Sequence, residues 1–450
     1  MTTSHQHDTD PATPATIRFA LWILVPTALA AAIGMVTLWP APVETPETDH
    51  ATVEVTGTVE GIAKRSCPDI DTDLPGVGEP PPYCGTTTVR ITSGDDTDQL
   101  FVVPLPTGPG APVVDLGDDI VLLALAEPSG GQYSYHIIDH DRSTPLWIIA
   151  AAFMIAVVAF GRWRGLAALG GLVVTFAVLL IFIIPAILGG EPPLLVAIVG
   201  SAVIMLTVLY LTHGFGAGTT IAVIGTLAAL LACGLLSMLA VDLAHLTGVA
   251  DEDTTTLAAF HGVNMRGLLL AGILIGSLGA LDDVTVTQAA AVTELARANP
   301  GWRPRQLYAA AARIGRAHIA SVVNTIILAY AGASLPVLIL LAAADRPLGE
   351  VITAPLLAQE VVRGVVGTIG LILAVPLTTA LAALTVRRSG AAAIGSGGTE
   401  STAADRDGAT PEPPPPGPRP APDRKAWLEM HDDRPAGDRG AGARRFGSDA

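Results

Sequence analysis

The sequence predicts an α-helical integral membrane protein of about eight transmembrane helices, with a small extracytoplasmic β-barrel of OB-like pattern between the first and second spans. Three observations carry this reading. Half of the 450 residues are hydrophobic and the mean hydropathy is +0.52, with repeated apolar runs long enough to cross a bilayer. Between residues 40 and 144 the pattern changes to short alternating runs separated by Gly, Pro and Asp. The formal net charge of −16 is concentrated in that segment, with roughly 18 acids against 4 bases. No basic face exists to release counterions from phosphate, so nucleic acid is excluded as a partner.

Taken in order, residues 1–16 are polar and read as a disordered tail, with His5 and His7 solvated rather than metal-binding. Residues 17–39 read as the first transmembrane helix, with Trp22 and Trp39 toward its ends as interface anchors. The apolar core is longer and the basic start weaker than a signal peptide needs, although a cut near Ala30 is the alternative. Residues 40–144 carry five strand-like runs, at 52–59, 86–91, 99–105, 119–125 and 133–140. Their order, through "GTVEGI", "GDDIVLLAL" and "YSYHIIDHDR", has an OB-like pattern. The Asp69, Asp71, Asp73 run lacks the glycine and terminal glutamate of a calcium loop and reads as a solvated loop. Cys67 and Cys84 in this segment are a disulfide candidate if it lies outside the membrane, the alternative being two free thiols. Cys233 stands alone in an apolar run, and nothing in the chain predicts a metal site or a cofactor.

Residues 145–386 read as a seven-helix membrane domain, with spans near 145–160, 165–188, 194–211, 219–240, 258–281, 318–343 and 356–386. Arg162 and Arg164, the arginines of 297–316, and Arg387 and Arg388 then fall on one side. By the positive-inside rule that side is cytoplasmic, as are both termini, and the barrel faces outward. Residues 387–450 form a Pro/Gly-rich tail that cannot bury a core and is expected to be disordered.

The richest stretch runs from His261 to Leu295. As one helix it carries His261, Asn264 and Arg266 near one end and Asp282 and Asp283 at the other, with His261, Gly272, Gly276, Gly279 and Asp283 on one side. Gly272 and Gly276 form a small-xxx-small pair, and with Gly279 they predict close helix packing. Arg266 is deep enough to need a partner, with Glu360, Asp242 and Asp251 as candidates; the bland reading is snorkelling, with His261 and Asn264 as packing hydrogen bonds. Asp282 and Asp283 divide between cation or proton handling and a structural role. In the latter they stop the membrane helix, and Thr285 with Gln288 forms a capping box that opens an amphipathic segment to Ala298. Residues 305–316 read as a surface helix with arginine anchors. The next span carries Asn324 and Thr325, either as interhelical hydrogen bonds or as ligand contacts. No Ser/His/Asp set, H-E-x-x-H helix, CxxC pair or phosphate loop appears, so no catalytic residues are assigned and no enzyme is expected.

The segments "GALDDVTVTQAAAVTEL" and "IGRAHIASVVNTIILAYAGASLP" resemble the signatures of the YibE/F-like family of bacterial multi-pass membrane proteins, as does the layout of an anchor span, an outer domain and seven further spans. The resemblance covers about residues 50–386. It implies a bacterial plasma-membrane location and leaves the activity open. By motif match it singles out Asp282, Asp283, Thr285, Thr287, Gln288, Glu294, Gly315, Asn324, Thr325, Tyr330 and Gly332.

Two functions follow as expectations. The first is a permease-like secondary transporter of a small solute or ion, with His261, Asn264, Arg266, Asp282, Asp283, Asn324 and Thr325 as transport or ligand candidates. The alternative is a non-transporting scaffold or sensor whose outer barrel binds a protein partner. In both, the lipid bilayer is the constant partner.

Overall fold

The computed structural model describes residues 14–40, 52–66, 84–107, 110–126, 133–343 and 347–395. The first part of the N-terminal tail, Cys67, the Asp69–Asp73 run and the tail beyond 395 lie outside the described residues, and the Cys67–Cys84 pairing with them.

Helix α1 (Pro14–Thr37) leads to a five-stranded sheet of β1 (Thr52–Arg65), β2 (Cys84–Ile91), β3 (Leu100–Pro104), β4 (Asp119–Ala126) and β5 (Tyr133–His140). All neighbouring strands are antiparallel, in the order β3-β2-β1-β4-β5. The long β1 pairs with β2 on one side and β4 on the other, and register shifts at Val59/Gly61 and Val121/Leu122 bend the ladder. Alternation does the rest: Val89 and Ile91, then Ile120, Leu122 and Ala124, turn into one core with Val55, Val59 and Tyr135. The edge strands curl toward each other, Phe101 of β3 meeting Tyr135 of β5 at 4.6 Å between ring centroids, so the sheet is a half-barrel.

The rest is helical. Helix α2 (Ser143–Ala177) is broken at Arg162 (φ 52, ψ −126). It runs into a π-helical turn (Val178–Ile183) and α3 (Ile184–Leu188). Pro185 accounts for the widened turn, since it lacks an N–H and its ring crowds the carbonyl one turn back. Helices α4 (Pro193–His213) and α5 (Ala217–Leu243) follow, then the short α6 (Glu252–His261). The C-terminal set is α7 (Met265–Ala298), α8 (Pro304–Ala333), α9 (Leu335–Ala343), α10 (Leu348–Thr353) and α11 (Pro355–Gly395).

Among the described residues six helices are long and apolar enough to cross a membrane, with Leu21–Thr37 as a shorter apolar helix. They expose Trp147, Ile155, Leu231 and Leu239 by 60% or more, a surface that suits lipid and not water. Helices α5, α7 and α11 share the centre, where Ala229, Leu281, Val284, Leu371, Ala374 and Val375 pack together.

Three expectations are corrected here. His261 does not belong to the helix of Asp282: α6 ends on it, Gly262 takes the left-handed conformation (φ 61), and Asn264 starts α7 by accepting the Gly267 N–H at 2.9 Å. The two aspartates do not stop a helix and Thr285 caps nothing, because α7 continues without a break to Ala298. The stretch from Arg305 is no separate surface helix but the first half of α8.

Helix α6 starts at Asp251 and Thr254, which form a reciprocal capping box. The Thr254 hydroxyl and then its backbone N–H hold the Asp251 carboxyl below its ordinary 3.8. Because the folded value is the lower one, this stabilisation is complete above the ordinary value and disappears as pH falls through the folded one. We expect Asp251→Ala to weaken α6 by roughly 1 kcal/mol. Amide exchange at Thr254 should lose its acid-dependent step in Asp251→Asn; an unchanged step in that variant refutes the cap.

Candidate functional site

Within the helices, α7 carries a seam of polar groups against its neighbours. Toward α5, the Cys233 thiol approaches the Ser277 hydroxyl at 3.7 Å, and Thr226 and Thr285 share a hydrogen bond of 2.6 Å. Toward α8 and α11, the buried Gln288 amide donates to the Ala311 carbonyl at 2.9 Å and to the Thr379 hydroxyl at 2.8 Å. Gly315 makes that junction possible, because a Cβ there would stand 2.7 Å from Gln288 Oε1 and 2.6 Å from Val375 Cγ1. Lipid supplies no hydrogen bonds, so helices satisfy such groups across their interfaces. Some of them are not satisfied: Asp282 Oδ1, His318 Nε2, Gln359 Nε2, Arg363 Nε and Thr378 Oγ1 are buried with no partner among the described residues.

A cleft of about 290 Å³ opens beside the seam, lined by Tyr330, Ser334, Leu356, Glu360 and Arg363 among others. Arg363 and Glu360 pair one turn apart on α11 at 3.2 Å. The glycine face of α7 looks toward this space. A Cβ at Gly276 would meet the Tyr330 hydroxyl at 3.3 Å, one at Gly272 the Arg363 guanidinium at 3.9 Å, and one at Gly279 nothing within 4 Å. None of the three therefore packs on a neighbouring backbone, the role expected of them; Gly272 and Gly276 leave room for polar side chains from α11 and α8, and Gly279 borders open space.

The other sequence-derived candidates scatter. Arg266 pairs with Asp242, one of its three expected partners, at an exposed position. His261 is exposed at the end of α6, and Asn264 is spent on its cap. Asp282 lies in the seam while Asp283 is exposed beside it. Asn324 and Thr325 are exposed on α8, the Thr325 hydroxyl donating back to the Ser321 carbonyl at 3.1 Å. The structure thus does not bring Asp282 together with His261 or with Asn324. Sequence reasoning missed Thr226, Ser277, His318, Arg363, Thr378 and Thr379. Arg363 had a signal, an arginine well inside an apolar run; single threonines and serines in apolar helices have none.

On the sheet, a recess of about 120 Å³ is lined by Val53, Asp95, Asp96, Tyr133 and Tyr135 among others. The Tyr135 hydroxyl donates to Asp96 Oδ2 at 2.6 Å. Burial first, then this bond, pushes the phenol above its ordinary value. No group of three or more His, Cys, Asp or Glu suited to a metal ion occurs among the described residues.

A lipid-facing helical bundle with a polar seam at its centre is the build of a multi-span membrane protein. The family model described as YibE/F-like protein matches residues 149–388, more than half of the chain, and the chain belongs to that family. No curated protein matches it, and no solved structure does.

Proposed function

We propose that this chain is a permease-like secondary transporter in a bacterial plasma membrane, not an enzyme, and that the cleft beside α7 admits its solute. The observation that carries the reading is the buried, unpartnered Arg363 Nε in a cleft that also holds Glu360 and Tyr330. A guanidinium with a spare N–H in a low-dielectric wall is a fixed donor for a carboxylate or similar acceptor. The volume suits a small solute.

The architecture we propose has eight spans. The break at Arg162 supports counting α2 and its continuation as two, since a Cβ on Gly165 would lie 2.3 Å from the Val157 carbonyl, whereas eight residues of straight helix span about 12 Å. With α1 this gives an even number, cytoplasmic termini and an outward sheet, supported by arginines at 162, 164 and 297–316. The strand order and half-open edge support the OB-like reading of that sheet. The proposed domain bounds are 17–39, 40–144 and 145–386, with a tail at either end.

Purified protein in proteoliposomes, tested against amino acids, carboxylic acids and inorganic anions, should move at least one of them. Arg363→Gln should reduce that flux about tenfold or more, as expected for losing a charge-assisted contact. Vesicles that move none of these solutes, or flux unaffected by Arg363→Gln, reject the reading. The recess at Tyr133, Tyr135 and Asp96 favours a second reading, a scaffold or sensor that holds a cationic side chain of a protein partner there.

A further inference from the structure

Among the described residues Asp282 has no counter-charge: no salt bridge includes it, its Oδ1 is buried without a partner, and the Thr226 hydroxyl is the group facing its carboxylate. An unpaired carboxylate inside a helical bundle is costly unless something neutralises it. Oxygens converge on the same level. Thr226 and Thr285 hold each other at 2.6 Å, and the Thr285 hydroxyl also lies 3.1 Å from the Asp282 carbonyl.

Helix α11 adds to this set through Pro376. Proline has no N–H, so the carbonyl of Ile372, one turn earlier, lacks its helical donor. A Cβ on Gly367 would meet Ser277 Oγ at 3.1 Å, and Gln288 bonds Thr379, a register that sets Ile372 level with Asp282 although its side chain is exposed. Thr378 Oγ1, on the same helix, is fully buried and unpartnered. A backbone carbonyl without its helical donor, set at the level of a carboxylate, is the kind of oxygen with which membrane bundles hold small cations.

We propose that Asp282, the Thr226 and Thr285 hydroxyls and the Ile372 carbonyl form a binding site for one sodium ion. A single carboxylate balances a monovalent ion and would leave a divalent one with excess charge. The titratable groups near this level are Cys233 on α5, engaged with Ser277, His318 on α8, and the exposed Asp283 on α7 itself; on α11 the charged pair Glu360–Arg363 lies more than two turns away. Access is open along α7, where Gly279 faces empty space and Asp283 is exposed. The proposal deepens the permease reading by naming its coupling ion, and it rests on that reading only for what the ion does.

The test measures binding without flux, so its failure leaves solute movement through the cleft untouched, and absence of flux leaves the ion site untouched. Full-length protein in detergent is melted in NaCl, KCl and choline chloride at one ionic strength, as wild type, Asp282→Asn and Thr226→Val. Sodium about a hundredfold above its Kd should raise the wild-type Tm by about 5–11 °C over potassium or choline. Asp282→Asn should melt in choline at or above the wild-type temperature, because a buried unpaired charge is gone, and should not respond to sodium. Thr226→Val keeps the volume and should shrink the sodium shift by half or more. Equal shifts in sodium and potassium overturn the proposal, as does a sodium shift that survives in both variants. A wild-type Tm that ignores sodium but climbs as pH falls, with Asp282→Asn flat, also overturns it and makes the occupant a proton.

Discussion

Gly315→Val should loosen α8 from α7 and α11 and lower the Tm of the detergent-solubilised protein by about 5 °C. The added Cβ would stand 2.6 Å from Val375 and 2.7 Å from the Gln288 amide oxygen. Neither neighbour can yield freely: Val375 is 4% exposed, and Gln288 is tied to Ala311 and Thr379. Overpacking of this kind costs roughly 1–3 kcal/mol, and a domain of this size loses about 2–4 °C per kcal/mol. Gln288→Ala alone should also destabilise, because the Ala311 carbonyl and the Thr379 hydroxyl each lose the amide that donates to them across the helix interface. In the double variant the two effects should fall short of additive, because removing the amide removes one of the clashes. A Gly315→Val protein with wild-type Tm, or strict additivity, shows that the junction is not as tight as described.

Leu122→Ala should unfold the half-barrel while leaving the helical signal in place. Leu122 is fully buried at the middle of β4, between β1 and β5, and its core is drawn wholly from the sheet and its loops. Cutting a leucine back to alanine in such a site costs about 2–5 kcal/mol, a large part of what a five-stranded domain has to spare. Limited proteolysis of the full chain should cut within residues 52–140 at least tenfold faster, with far-UV helicity unchanged. Cleavage at the wild-type rate counts against a separate core.

The five strands were legible because period-two alternation and Gly/Asp punctuation coincide there, as at Ile120, Leu122 and Ala124. Long apolar runs made the bundle legible for an equally direct reason. Boundaries inside the bundle were harder. Paired aspartates ordinarily mark the membrane edge, yet Asp282 lies inside the bundle where α5 brings the Thr226 hydroxyl to it, and only tertiary packing could reveal that. The end of α6 was written in the sequence after all: Gly262 and Asn264 are a helix stop and a helix start two residues apart. Depth along the helix gave Arg266 three candidate partners and could not choose Asp242 among them, and the exposed Asn324 shows that a polar residue in an apolar run need not face inward.

Helix α8 has all four of its buried residues between Leu307 and Gly315, and none from 316 to 333. Mechanically it is a lever pinned at one end. From Gly315 to Tyr330 the free arm is roughly 22 Å long at 1.5 Å per residue. A tilt of about 5° about the pinned stretch would carry the Tyr330 ring ~2 Å, with the half-buried Ile319, Val322 and Ile326 sliding on the central core.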